Sequence, residues 1–309
     1  MIRVSIITPS YNQAAFLRQT MESVLGQDYP AVEYLVVDGG SIDGSPELIN
    51  AYADRLAWWV SEADAGQGEA INKGLAHSSG EVVAWLNSDD YYLPGAIRAA
   101  VGVFDAHPEA VMVYANVRAV DENGAVINNL TYDQRSLENL LCFQIIGQPA
   151  VFLRANAVKK VGGLDPRFHF LLDHQLWIRL AAIGPVLHVD ETWAAARYHA
   201  GAKNRRMAAE FGREAFEVLS WAEGEPSLAP RLRKIKGPAL ASAHRLNARY
   251  LVDAGRPREA LGAWMRALAI HPRTALARKN ILGSAILEVL GLGAIRESIL
   301  RRRKRGLAP

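Results

Sequence analysis

Residues 4–38 read VSIITPSYNQAAFLRQTMESVLGQDYPAVEYLVVD. The stretch opens on an apolar, β-rich run, VSIIT, and passes through AAFLRQTMESVL (14–25), where Leu17, Met21 and Val24 recur at helical spacing. It closes on a second β run, EYLVVD (33–38). Strand, helix and strand in so short a span predict two parallel strands joined by a crossover helix. The alternation continues outward through SPELINAYADRL (45–56), WWVSE (58–62), EAINKGLAH (69–77), EVVAWL (81–86), PGAIRAAVGVF (94–104) and AVMVYA (110–115). This pattern predicts an α/β architecture with a doubly wound, mostly parallel sheet. In such sheets ligands bind beyond the carboxyl ends of the strands, so the residues just after each strand carry the functional information.

Further along, VRAVDENGAVI (117–127) reads as a hairpin turning at Asn123-Gly124, PAVFL (149–153) as a strand, and 155–161 and 174–183 as helices. From about residue 203 strand signals stop and Ala, Leu and Arg dominate. The expected organisation is an α/β domain over 1–204 and a small all-helical region over 205–309. Within the latter, Gly255, Ala260, Trp264, Ala267 and Pro272 fall at the spacings of one tetratricopeptide-like hairpin (241–274), with no second copy. An ordinary packed helix pair explains the same residues.

Half of the 309 residues are hydrophobic and 22% are charged, which excludes a disordered or low-complexity chain. One cysteine, Cys142, makes no internal disulfide, and RVSIITP at the start lacks a charged head and apolar core. A cytoplasmic protein is expected. The apolar stretch AILEVLGLGAI (285–295) is interrupted by Glu288 and two glycines, which argues against a membrane span. Charge is divided along the chain: residues 1–200 carry 13 Lys and Arg against 23 Asp and Glu, net −10, and residues 201–309 carry 22 against 9, net +13. An acidic front argues against nucleic-acid binding, and the basic rear suits an anionic partner.

The first strand ends in ITPSYN (7–12), with neither GxGxxG nor GxxxxGK[ST], which weakens dinucleotide and P-loop readings. The second ends in VVDGGSIDGS (36–45). Asp38, at a strand terminus, can accept hydrogen bonds from a base or sugar lying across the sheet edge; Asp43, beside Ser45 and Pro46, suits an Asx-type turn. The fourth ends in LNSDDYYLP (86–94), gathering Asn87, Asp89 and Asp90. With Pro94 as first helical residue, Leu93 and no aspartate would cap the next helix. Adjacent carboxylates repel unless a cation or donors intervene, and Mg²⁺ typically sits on one or two carboxylates plus substrate phosphates. The cluster therefore predicts a divalent cation, Mn²⁺ or Mg²⁺, bound jointly with a diphosphate; a solvated acidic turn is the plainer alternative.

ITPSYN, VVDGGSIDGS, SEADAGQGEAINKG (61–74) and LNSDD, in that order, resemble the family 2 glycosyltransferases of the GT-A fold over about residues 2–200. The resemblance implies an inverting, metal-dependent transfer of a sugar, of hexosyltransferase type, from a nucleotide-diphosphate sugar to a hydroxyl acceptor. It further implies that Thr8, Pro9 and Tyr11 line the nucleotide pocket, that Asp38 bonds the base, and that Asp64, Asn72 and Lys73 lie near the sugar-diphosphate. Asn87 and Asp89 stand where the family's DxD motif has its first and last acids. Asn87 departs from that pattern: it keeps hydrogen-bonding capacity but drops a charge, which implies either weaker metal binding or a share of the donor or metal load for Asp90.

In GGLDPRFHFLLDHQLWIRL (162–180), Asp173 occupies the place of the family's catalytic base. A helix N-cap ahead of Leu176, Trp177 and Leu180 would explain the same aspartate, and both tasks are compatible. Gln175 stands where related sequences carry a second acid. In ARYHAGAKN (196–204) the resemblance implies a loop closing over the donor, with His199 as metal or diphosphate contact and Arg197 and Lys203 neutralising phosphate; a structural His explains His199 as well. Gln148 looks like an acceptor-facing position. The implied biology is bacterial surface polysaccharide or lipid-linked glycan synthesis.

From Lys279 the chain reads as an interrupted amphipathic helix ending in Arg301–Arg305, RRRKR, which suits peripheral contact with an anionic membrane surface. The competing class is a non-catalytic nucleotide-sugar-binding protein whose helical region recruits partners, favoured by Asn87 and Gln175. A nucleotidyltransferase, which would release pyrophosphate, is a weaker third reading.

Overall fold

A computed structural model describes residues 1–199, 201 and 207–293. The chain divides into two compact units, one of Met1–Arg135 with Ile146–Tyr198 and the other of Ser136–Ile145 with His199–Pro309. Lys203 and the basic run Arg301–Arg305 lie outside the described residues. Among the described residues no helix is long and apolar enough to cross a membrane.

The first unit is built on β1 (Val4–Ser10), α1 (Ala14–Leu25), β2 (Val32–Asp38), α2 (Ser45–Asn50), β3 (Trp58–Ser61), α3 (Gln67–His77) and β4 (Val82–Trp85). It continues with β5 (Tyr91–Tyr92), α4 (Ala96–Ala106), β6 (Met112–Asp121) and β7 (Val126–Leu130). After α5 (Leu137–Leu141), which belongs to the second unit, it ends with β8 (Val151–Arg154), α6 (Ala155–Val161), α7 (Leu172–Ala181) and β9 (Val186–Tyr198). The sheet order is β3-β2-β1-β4-β8-β6-β9-β5, with β7 on β6. β3, β2, β1 and β4 run parallel, as do β6 and β9, and only β5, β7 and β8 run against them. The α/β reading from alternating runs is met.

All seven residues of β1 are buried, as expected for a strand covered on both faces. Val4, Ile6, Tyr34, Val36, Val82, Ala84, Phe104 and Phe152 form part of one core, each large apolar side chain contributing roughly 1.5–3 kcal/mol. Parallel register brings Ser10, Asp38 and Ser61 side by side at one sheet edge, and Ile7 beside Trp85. The first three loops therefore leave the sheet together.

Three local expectations change. The helix after Pro94 starts at Ala96, capped by Gly95 in the left-handed region (φ 81°), so Pro94 precedes the helix. The pattern at 45–56 breaks into α2 and a short 3₁₀ turn at Ala53–Arg55. The segment 196–204, expected as a loop, begins inside β9, which runs on to Tyr198 and pairs with the short β5. TWAAAR carries little β propensity of its own, and its pairing with β5 and β6 holds it extended.

The second unit is helical. Its helices include Ala208–Gly224, Lys236–Asp253, Pro257–Ile270 and Lys279–Val289. Ala241, Ala248, Ala260, Ala263, Trp264 and Ala267 share one apolar cluster, so the small residues at hairpin spacing lie where two helices pack. Gly255 takes φ 70° between those helices, a conformation glycine adopts without steric cost.

Candidate active site

The loops leaving β1 and β2 are fastened to each other. Asn12, itself in the left-handed region (φ 51°), donates its amide N–H to Ser41 Oγ at 2.7 Å, and its Oδ1 accepts from the Ile42 amide at 3.0 Å. Asp43 behaves as the Asx turn expected of it: Oδ1 accepts from the Ser45 amide and hydroxyl, while Oδ2 accepts from Ala14 N at 2.9 Å, satisfying an open donor at the start of α1. Burial acts to raise the Asp43 pKa, but the hydrogen bonds from Ser45 and Ala14 outweigh it and hold the group below the ordinary aspartate range.

Asp38 is fully buried. Its Oδ2 accepts from Ser41 N (2.8 Å), Gly40 N (3.2 Å) and Ser61 Oγ (2.7 Å), and its Oδ1 accepts from Ser41 Oγ (2.5 Å). Its carboxylate thus fixes the turn that borders the cleft, and a ligand would meet Gly39–Ser41 before reaching it. Thr8 does not line an open pocket: it is 0% exposed, and its hydroxyl pairs with Tyr34 Oη at 2.9 Å inside the core. Pro9 is buried next to it, whereas Tyr11 is 63% exposed and presents the first accessible aromatic face.

The segment before α3 gathers the remaining pieces. Asp64 Oδ1 accepts from Gly66 N at 2.8 Å, and a Cβ on Gly39 would stand 2.9 Å from Asp64 Oδ2, so the Asp64 side chain lies over the Gly39 backbone. Gln67 donates its side-chain amide to Asn87 Oδ1 at 2.7 Å. Gly68 lies opposite Leu172, the residue before Asp173, whose Cδ1 would be 3.8 Å from a Cβ there. The start of α3 therefore touches the Asp38 loop, the acidic turn and the start of α7. Asn72 faces another way: its amide brackets Leu164, donating to the carbonyl at 2.8 Å and accepting from the N–H at 2.9 Å. Lys73 pairs with Glu62 at 2.6 Å on the surface, and that hydrogen bond raises its pKa.

The acidic turn after β4 is held from outside. Thr20 Oγ1 lies 2.9 Å from Ser88 O and 2.6 Å from Asp90 O, and Asp90 N bonds Asn87 O at 3.0 Å. Asp90 is 6% exposed and its Oδ1 accepts from the Arg197 amide at 2.9 Å, so it ties the turn to β9 instead of standing open to a ligand. Burial, with the Asp89 charge beside it, pushes the Asp90 carboxyl well above the ordinary range. Asp89 is half-buried. Arg197 is 6% exposed, and its guanidinium is engaged by protein carbonyls and Gln19, which leaves it poorly placed to neutralise a phosphate. Among the described residues no three His, Cys, Asp or Glu side chains are arranged to hold a metal.

On the opposite side, α7 begins with Leu171 as N-cap, which puts Asp173 in the first turn and not at the cap. Its Oδ1 accepts from the His174 amide at 2.7 Å. Trp177, one turn on, stacks on Trp85 at the end of β4, with ring centroids 5.3 Å apart and planes 22° apart, fixing α7 against the strand that carries the acidic turn. Gln175, buried, accepts from Arg179 Nε at 2.9 Å, and Arg179 donates to the Val161 and Gly163 carbonyls at 2.7 Å each. The position where relatives carry a second acid thus serves a scaffold here, which an amide performs without charge. Gln148 is 8% exposed and donates to Trp85 O at 2.8 Å, while its Oε1 has no protein partner. His199 is buried at the first residue of the second unit.

The sequence profile described as Glycosyl transferase family 2 matches residues 5–155. An uncharacterised glycosyltransferase of Mycobacterium tuberculosis (strain H37Rv) is 30% identical over 183 residues, spanning 58% of this chain and 69% of that protein. The chain belongs to glycosyltransferase family 2. A second relative, an uncharacterised glycosyltransferase of Rickettsia typhi, is 29% identical over 204 residues, 63% of this chain; the match spans 64% of the relative's own length. Among solved structures, the fold resembles a mannosyltransferase from Pyrobaculum calidifontis in complex with GDP-Man and Mn²⁺ (TM-score 0.64, 20% identity, 96% of this chain and 86% of that one). It also resembles S. aureus TarS in complex with UDP-GlcNAc (TM-score 0.61, 16% identity, 96% and 91%). These likenesses establish a GT-A fold for the family 2 unit. Gln67, which joins α3 to Asn87, escaped the sequence reading; the Gly66 before it (φ 119°) is the signal that marks the spot.

Proposed function

We propose that this protein is an inverting glycosyltransferase that moves a sugar, of the hexose class, from a nucleotide-diphosphate sugar to a hydroxyl acceptor. The observation that carries this reading is the convergence at the start of α3, where Asp64 meets Gly39, Gln67 meets Asn87, and Gly68 meets Leu172 beside Asp173. In this reading the nucleoside lies along Tyr11 and the Gly39–Ser41 turn, with Pro9 behind them. Asp64 approaches the sugar. Asp89 would hold a divalent cation, Mn²⁺ or Mg²⁺, whose charge would stabilise the departing diphosphate. Asn87 is kept in place by Gln67.

Asp173 acts from the other side. Its carboxylate takes the proton of the acceptor hydroxyl as that oxygen bonds the anomeric carbon, while the bond from that carbon to the diphosphate oxygen breaks. Attack opposite the leaving group inverts the configuration. Gln148 Oε1, a buried acceptor without a protein partner, suits an acceptor hydroxyl next to Trp85. The basic rear of the chain suits an anionic membrane surface, consistent with a cytoplasmic enzyme acting on a lipid-linked glycan or a bacterial surface polysaccharide.

The test is release of nucleoside diphosphate from a panel of UDP- and GDP-sugars with Mn²⁺. Wild type should turn over at least one donor, and Asp173→Asn should reduce kcat about 10³-fold with donor affinity unchanged. Donor binding without turnover across the panel would transfer support to the non-catalytic binder. Pyrophosphate as product would indicate nucleotidyl transfer.

A further inference from the structure

Arg197 is held by four segments of the first unit, the acidic turn among them. Its Nε donates to Asp89 O at 3.0 Å, and its Nη1 donates to Glu122 O at 2.7 Å and to Asp121 O at 3.4 Å. Its Nη2 donates to Gln19 Oε1. Four of the five guanidinium N–H bonds are therefore directed at protein oxygens. The rings of Phe16 and Tyr91 lie against the same group, 4.8 and 5.7 Å from their centroids. Its backbone amide adds the bond to Asp90 Oδ1. One residue thus joins α1, the turn, β5 and the β6–β7 hairpin.

We infer that Arg197 is a positioning residue for Asp89: by clamping the Asp89 carbonyl and the Asp90 carboxylate it fixes the direction in which the Asp89 side chain leaves the turn. This inference rests on the reading above in which Asp89 holds a cation. It sets Arg197 apart from a residue that touches phosphate, since a buried, saturated fork has little left to offer a ligand. A lysine at this place keeps the charge but supplies one flexible ammonium for acceptors that lie in different directions.

The experiment compares wild type, Arg197→Lys and Arg197→Gln. Amide hydrogen exchange of the free protein is expected to rise at least tenfold across residues 87–92 in both variants, with β1 and β2 at wild-type rates. The electron paramagnetic resonance signal of free Mn²⁺, titrated with protein in the presence of UDP or GDP, should show about tenfold weaker Mn²⁺ binding. UDP and GDP affinities without metal should not change.

Unchanged exchange at 87–92 would overturn the inference, as would an equal rise throughout the unit, the mark of general destabilisation. Loss of nucleotide affinity without metal would also overturn it, because it would put the guanidinium on phosphate. If wild type binds Mn²⁺ with neither nucleotide, the cation reading fails by itself. Exchange then decides whether Arg197 fixes the turn: a rise confined to 87–92 upholds that, and its absence removes it.

Discussion

Two turns at strand ends on either side of β1 carry aspartates, and they are held in opposite ways. After β2, Asp38 and Asp43 are satisfied largely by their own loop, through Gly40, Ser41 and Ser45, with Ser61 and Ala14 adding one donor each. After β4, the Asn87–Asp90 turn takes its restraints from Thr20 and Arg197, about seventy and a hundred positions away. A self-contained turn gives a rigid border. A turn held from outside leaves one aspartate, Asp89, half-buried while the second is consumed as an anchor.

The largest expected effect breaks the first turn. Asp38→Ala leaves the Ser41 and Ser61 donors without an acceptor in a buried site and should destabilise the unit by about 3 kcal/mol, read as a lower urea midpoint at unchanged slope. The second turn is sharpened by Asn87→Asp, which restores the missing acid. It should tighten Mn²⁺ binding in the presence of UDP or GDP about tenfold. In metal-free buffer it should cost about 1 kcal/mol, because a third carboxylate joins Asp89 and Asp90. Calorimetric titration and metal-free melting separate the two effects; a change of the same sign in both would contradict this account.

The smallest effect is in pH, and its sign differs between the turns. Asp43 has a lowered pKa in the fold, so its stabilisation is present above the ordinary aspartate value and is lost as pH falls through the lowered one. Asp90 has a raised pKa, so the folded state holds its proton more tightly and stability declines as pH rises from the ordinary value through the raised one. In urea titrations between pH 3 and 7, Asp43→Asn should flatten the acid side and Asp90→Asn the side above it. Profiles of both variants that match wild type would remove the contrast.

The same contrast explains what could be read from sequence. The Asp43 turn was legible because its partners are two residues away or at the next helix start, within reach of turn chemistry. β1 to β4 were legible because uninterrupted apolar runs between helical patterns leave few alternatives. Arg197 was expected near phosphate because sequence order shows neither that β9 extends to Tyr198 nor that it lies between β5 and β6. Thr8 is a similar case, since which face of a fully buried strand a side chain occupies depends on Tyr34, which sequence spacing does not locate. Asp90 and Asp89 look alike in the sequence and differ only through tertiary contacts.

Because β9 closes the first unit and sits between β5 and β6, a growing polypeptide emerging from the ribosome contains β1 to β4 long before it contains residue 197. Synthesis proceeds at roughly 5–20 residues per second, so several seconds separate the two events. Through that interval the acidic turn lacks its clamp. The order of synthesis thus makes this turn one of the last parts of the first unit to be secured.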